Sequence, residues 1–383
     1  MKKNPKILVV IDKQSDNDWA ALEGIANYNK LDHWLIRNVE LHQDLLKIIQ
    51  TWEPDGIIYT ARAKDIHSVK LPKVSLFHFT PQKGLCLVEI HQEKTGKMAA
   101  EFLLNKGFRN LVFITGSMLP RATRRYEGFR EAIQACDLQT CFFENQCEHG
   151  MFPTEELQEN TDRMGQWLSR QPRPLAVFTV NDAHALHVLE ACRQHNLKVP
   201  EDVAVLGADN NRRQCAIAHP SLSSIQLPYE QLGFEAARLL DAQLLKKTIK
   251  HHHVALDPIE IVERHSTEIL GIKDDAVVKA LHYIREHRSE PIRIADVAKH
   301  SGISRSLLQR RFQNTLQRTP LEEIHRQKIE LAADLLRNTL FNMDEIAEKC
   351  GLSDHAQFTK LFRRKTGLTP SAYRKKRTTN HAG

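Results

Sequence analysis

The sequence predicts two α/β lobes with largely parallel sheets, followed by an all-α C-terminal domain built from two tandem helix-turn-helix units. Three observations carry this. Short apolar runs alternate with amphipathic helical stretches from residue 6 to about 265, which is the pattern of βαβ units. One stretch then occurs twice, as DVAKHSGISRSLLQRRFQNTLQRTP from Asp296 and EIAEKCGLSDHAQFTKLFRRKTGLTP from Glu345. Finally, the basic excess is confined to the region holding that repeat. Residues 274–383 contain 21 Lys and Arg against 13 Asp and Glu, whereas the rest of the chain contains 33 against 34. A polyanion partner for the C-terminal region and a near-neutral partner for the remainder follow from that split.

Taken in order, Ile7–Ile11 reads as a buried strand and Asp18–Lys30 as a helix with Ala21, Leu22, Ile25 and Ala26 on its apolar face. Strands are expected at Trp34–Val39, Gly56–Tyr59, Val74–Phe79 and Leu85–Ile90, with a helix at Leu45–Trp52. The helix Glu93–Lys106 and the strand Leu111–Thr115 follow. A second cycle comprises the helix Arg124–Ala135, the strand Thr140–Phe143, the helix Glu155–Arg170, the strand Leu175–Val180, the helix Ala183–His195 and the strand Val203–Leu206. About 260 residues of this alternation suit two lobes better than one sheet.

Open parallel sheets bind ligands beyond the carboxyl ends of their strands. Asn181 and Asp182 follow one such end, Asp209 another, and Arg125 lies after a third, within Arg125-Tyr-Glu-Gly-Phe. Carboxylates accept hydroxyl hydrogen bonds and a guanidinium donates in a fork, so this set suits a polyhydroxylated ligand. Asn and Asp at strand–helix junctions also cap the following helix, and that alternative stays open for each of them. The stretch PLAVFTVNDAHALHVLEACRQHNLKVPEDVAVLGADNN (174–211), together with the Arg125 motif, resembles the sensor of LacI-type regulators and the related periplasmic sugar-binding proteins. The resemblance implies two lobes closing on a sugar, with contacts from Arg125, Asn181 and Asp209, and with Asp182 inside the matched dipeptide. LacI-type regulators carry their DNA-binding part at the N-terminus; here it stands at the other end.

Residues 266–274 read as a linker between a sensor domain, 1–265, and a DNA-binding domain, 275–383. The latter opens with a helix at Asp275–Arg288, stopped by Pro291. In each repeat a Gly turn precedes a Ser cap, Ser304 or Ser353, and a second helix with apolar residues at i and i+4. Leu308 and Phe312 turn inward in the first copy, leaving Arg305, Ser306, Gln309 and Arg310 outward; Phe358 and Phe362 turn inward in the second, leaving His355, Thr359, Lys360 and Arg363. Gln pairs well with adenine and Arg with guanine in the major groove, while Arg363 at its helix end suits phosphate. Between the copies, Thr319-Pro-Leu-Glu322 forms a capping box launching a helix to about Arg337. Eighteen residues give a strut of roughly 27 Å, comparable with the distance between successive major grooves.

The tandem arrangement over residues 275–377 resembles the AraC-type DNA-binding domain. That implies transcriptional regulation, commonly activation, with base contacts at Ser306, Gln309, Arg310, His355, Thr359 and Lys360. A LacI-like sensor ahead of an AraC-type domain resembles the bacterial xylose operon regulators. This implies D-xylose as effector, a double-stranded DNA operator, a homodimer formed through the sensor, and RNA polymerase as a further partner.

No cofactor and no metal site are expected. Seven cysteines without a CxxC pair fit a reducing cytoplasm rather than a disulfide framework or zinc. The run His251–His253 reads as a solvated loop. There is no 18-residue apolar stretch, no signal-peptide pattern and no catalytic motif, so a cytoplasmic protein that is not an enzyme is expected. The competing reading is a sugar-binding protein or carbohydrate enzyme whose basic tail binds nucleic acid without selectivity. Selective capture of one duplex from random DNA separates the two.

Overall fold

The computed structural model describes every residue except 1–3, 13–14, 30–32, 42, 61–62, 64–65, 67, 77–84, 145–153, 247–252, 269–270, 273, 340, 353–354 and 375–383. The chain divides into two compact units, Met1–Leu104 with Phe108–Ile269, and Asn105–Gly107 with Leu270–Gly383.

The first unit holds two sheets. The elements of its first half are β1 (Lys6–Ile11), α1 (Asp16–Tyr28), β2 (Leu35–Glu40), α2 (Leu45–Trp52), β3 (Gly56–Thr60), β4 (Lys73–Leu76), β5 (Cys86–Ile90) and α3 (Gln92–Asn105). Then come β6 (Asn110–Thr115), α4 (Pro120–Gln134), β7 (Thr140–Glu144), α5 (Thr154–Ser169), β8 (Leu175–Thr179), α6 (Asp182–Gln194) and β9 (Val203–Asp209). The series closes with α7 (Arg212–Ile217), β10 (Ser223–Gln226), α8 (Tyr229–Leu244), β11 (His253–Leu256) and β12 (Glu260–Val262).

Among the described residues the first sheet runs β11-β5-β4-β3-β1-β2 and the second β12-β10-β9-β8-β6-β7. All pairings are parallel except β10 with β12. Because strand side chains alternate, Ile7, Val9 and Ile11 enter one core while Leu8 and Val10 enter the core on the opposite face. Burial on both faces explains why the strands read as continuous apolar runs. The chain crosses between the sheets at β5 to β6, at β10 to β11 and at β11 to β12.

The first two crossings use helices seated by glycine. A Cβ on Gly96 of α3 would lie 1.9 Å from the Arg125 carbonyl oxygen, and one on Gly128 of α4 would lie 2.0 Å from that of Glu93. The same reciprocal contact joins α1 to α8, where Gly24 faces the Glu230 carbonyl and Gly233 that of Ala21, each at 1.8 Å. These backbones touch at distances no side chain permits.

The sequence placed most elements of this unit within a few residues. Three differences bear on the site. Helix α4 begins at Pro120, the favoured first-turn residue, so Arg125 sits in its second turn rather than at its start. Strand β9 runs on to Asp209, making Asp209 a strand end. Among the described residues, 212–262 contain two helices and three strands left unassigned by the sequence; the short strands, such as Ser223–Gln226, carry little apolar signal. Ser266 and Thr267, at the start of the expected linker, are fully buried, and Ser266 Oγ donates to the Val205 carbonyl at 2.6 Å.

The second unit is helical: α9 (Asp275–Glu286), α10 (Ile294–His300), α11 (Arg305–Leu316), α12 (Pro320–Asn338), α13 (Met343–Lys349) and α14 (His355–Thr366). It has two cores. Leu308, Phe312 and Ile324 belong to the one built on α9–α11, and Ile329, Phe358 and Phe362 to the one built on α12–α14. Ser304 caps α11 by accepting from the Leu307 N–H, and the capping box of Thr319 and Glu322 is complete. A second box, Asn342 with Glu345, starts α13.

If the glycine contacts fix the helices, Gly128→Ala should destabilise the protein by about 1–3 kcal/mol, the usual cost of overpacking. Denaturant unfolding checks this, with the expectation of a lowered midpoint and an unchanged slope.

Candidate ligand cleft and nucleic-acid interface

Beyond the carboxyl ends of the strands, polar side chains from the two halves of the first unit meet. Asp209 Oδ1 accepts from the Tyr229 hydroxyl at 2.6 Å, and Oδ2 accepts from the Asn17 amide of α1 at 3.0 Å. Beside this, the Asn211 amide donates to Asp16 at 2.6 Å. Asp209 and Asn210 have φ of 111° and 51°, so the chain leaves β9 in a conformation that side chains rarely adopt. From that turn the carboxylate reaches Asn17 at the start of α1.

Arg125 is 1% exposed. Its guanidinium donates to Gln92 Oε1 through Nε at 3.0 Å and Nη2 at 2.5 Å, and through Nη1 to the Val180 carbonyl. Burial pulls its pKa down to about 10, and the charge of Asp209 opposes that shift. The arginine therefore stays protonated near neutrality without a carboxylate bonded to it. The close approach of α3 and α4 is what brings Gln92 under it. Its neighbour Arg124 extends the other way, donating to Glu93 at 2.6 Å and to the buried Glu89 of β5 at 2.8 Å. Glu89 also meets His253 Nε2 at 2.7 Å; His251 and His252 lie outside the described residues.

Asn181 and Asp182 have local partners. Asn181 caps α6, its Oδ1 accepting from the His184 N–H at 3.0 Å. Asp182 is 1% exposed, and its oxygens accept from the Ser224 hydroxyl at 2.5 Å and the Asn211 N–H at 2.7 Å. Burial first, and then the charge of Asp209, push its pKa up to about 7. Asp182 thus ties the start of α6 to β10 and to the residue after the Asp209 turn. Asp16, Asn17, Gln92 and Tyr229 were not singled out from the sequence. The polar run Asp12–Asp18 directly after β1 is the same strand-end signal that marked Asp209, and would have flagged the first two.

The second unit presents two basic helices. On α11, Leu308, Phe312 and Leu316 are buried while Arg305, Ser306, Gln309 and Arg310 are all exposed. On α14, Phe358, Leu361 and Phe362 are buried, Thr359 is half-buried, and Lys360 and Arg363 are exposed. Ser353 and the side chain of His355 lie outside the described residues. The 19-residue α12 connects the two halves, a length of about 28 Å. Exposed Arg, Gln, Ser and Lys on two short helices, each held from behind by aromatic side chains, match what the major groove requires of a reading surface.

A family model of the periplasmic binding protein-like domain matches residues 100–267, and one of the helix-turn-helix domain matches residues 297–376. The xylose operon regulatory protein of Escherichia coli (strain K12) is 28% identical over 97% of each chain. Its counterpart in Haemophilus influenzae is 30% identical, covering 73% of this chain and 72% of its own. A solved structure described as a xylose-binding transcription activator aligns with a TM-score of 0.61 at 25% identity over 98% of both chains. A LacI-type regulator of Alkaliphilus metalliredigens, complexed with D-xylulofuranose, shares the fold over 69% of this chain and 99% of its own, with a TM-score of 0.58 at 21% identity. With the two parallel sheets of the first unit and the two exposed helices of the second, these similarities place the chain in the family of bacterial xylose operon regulators, transcription regulators that join a LacI-like sensor to an AraC-type DNA-binding domain.

Proposed function

We propose that this protein is a pentose-responsive activator that takes D-xylose between its lobes and is not an enzyme. The observation that carries the ligand reading is Arg125, a charged guanidinium sealed at the cleft and satisfied only by neutral acceptors, within the electrostatic reach of Asp209. A sugar hydroxyl can replace Asn17 as donor to Asp209, exchanging one hydrogen bond for another, and accept a further one from an Arg125 N–H. Asn181 lies at the rim of the same site. Asp182 acts behind it by fixing the Asp209 turn. Xylose is suggested by the similarity to xylose operon regulators; the residues themselves suit any small polyol with adjacent hydroxyls.

In the second unit, Gln309 and Arg310 read bases, with Arg305 and Ser306 beside them. Thr359, Lys360 and His355 play the matching part on α14, and Arg363 binds phosphate. The active form is a homodimer through the sensor, working in the cytoplasm and presenting four recognition helices to one operator beside RNA polymerase.

Two results follow. A pentose panel in a thermal-shift assay should stabilise the wild type by about 2.7 kcal/mol at 100 times the Kd. D-xylose should give the largest shift, and Arg125→Met should abolish it; an equal shift in the variant would contradict the assignment. On duplexes selected by the full-length protein, Arg310→Ala should cost about 1–3 kcal/mol and relax preference at one position. Arg363→Ala should weaken all sequences alike and lower the salt slope by about one. Equal binding of selected and random duplexes by the wild type would instead support a non-selective basic tail.

A further inference from the structure

The two helix-turn-helix turns carry the same glycine in the same left-handed conformation, Gly302 at φ 70° and Gly351 at φ 61°. Their surroundings differ. A Cβ on Gly302 would meet nothing within 4 Å, whereas one on Gly351 would lie 2.4 Å from the Glu290 backbone and 2.5 Å from Lys328 Nζ. Glu290 lies between α9 and α10, so the second turn is packed directly on the chain of the first helix-turn-helix unit.

Beneath that contact sits Lys328 of α12, only 3% exposed. Its ammonium donates to the carbonyls of Glu290 at 2.6 Å, Cys350 at 2.6 Å and Gly351 at 3.0 Å. An ammonium has three N–H donors, and all three are used. One acceptor belongs to the first helix-turn-helix unit and two belong to the turn of the second helix-turn-helix unit. Along α12, Ile324 lies in the first core and Ile329 in the second, so Lys328 stands where the strut passes from one core to the other. The two apolar cores are separate there, and this three-way hydrogen bond is a polar tie across the gap.

We infer that Lys328 is a positioning residue that fixes the offset between α11 and α14, and through it the spacing of the two DNA boxes the protein accepts. This rests on α11 and α14 being the reading helices. A one-base-pair insertion between boxes displaces the second by about 3.4 Å and rotates it by about 34°. A head held by three directed bonds cannot follow that change, whereas one held only by apolar packing can slide.

The test is selection from a random duplex pool by the full-length protein, comparing wild type with Lys328→Met, which keeps the length of the side chain and removes its donors. The wild type should return two boxes at one spacing. Lys328→Met, shown by circular dichroism to keep its helicity, should return the same boxes at several spacings. Its preference for the native spacer over a one-base-pair insertion should fall from at least about tenfold to within about threefold, with affinity for a single box unchanged. If Lys328→Met does not fold, Gly351→Ala carries the same comparison, since its added methyl forces the Glu290 contact apart. A folded variant that keeps the wild-type spacing preference overturns the inference. Failure of the wild type to select any sequence would instead overturn the DNA-reading assignment beneath it.

Discussion

Two helix contacts too close for any side chain hold the sensor in shape. Gly96 with Gly128, and Gly24 with Gly233, let α3 rest on α4 and α8 rest on α1, backbone against backbone. Both α3 and α8 lie on connections from one sheet to the other, so the same contacts that seat these helices also set where the chain crosses. The chemistry depends on the first pair. Gln92 opens α3 and Arg125 lies on α4, and only at this separation does one amide oxygen receive two bonds from the guanidinium. Arg125 can then be buried without a bonded carboxylate, which leaves the charge of Asp209 available to something else.

The residues around the proposed ligand are polar and already hydrogen-bonded to one another. Asp209 holds Asn17 and Tyr229; Asp16 holds Asn211. A ligand taken here, as proposed, would exchange partners rather than fill an apolar void. Its effect on lobe closure is then set by the difference between the bonds it makes and those it displaces. Arg124 adds a second connection, from α4 to the buried Glu89 of β5, one residue away from Arg125. Arg125, proposed for the ligand, and Arg124, which links the two halves, are thus neighbours on one helix.

Much of this was legible in the sequence, for reasons that differ by region. Strands buried on both faces, such as Ile7–Ile11, announce themselves as apolar runs, and the repeated Gly-turn and cap pattern located α10–α11 and α13–α14. Outward placement of Arg305, Ser306, Gln309 and Arg310 followed from helical geometry once Leu308 and Phe312 were taken as core. Asp209 was visible as a strand-end residue, yet its turn at positive φ was not, because Asp is not the residue that conformation usually selects. The two roles of Asn181 and Asp182 could not be separated either, since a cap and a ligand contact use the same residue types at the same junction. Gln92 and Lys328 were beyond reach: each depends on a backbone from a distant part of the chain, and nothing local marks a lysine whose partners are three carbonyls.

If sugar and DNA are coupled through this protein, the full-length chain will bind its selected operator with different affinity with and without saturating D-xylose, and D-xylose with different affinity with and without operator. Coupling between bound ligands is reciprocal, so the two changes should be of equal factor, on the order of five- to 150-fold. Sugar binding that leaves operator affinity unaltered would contradict that coupling.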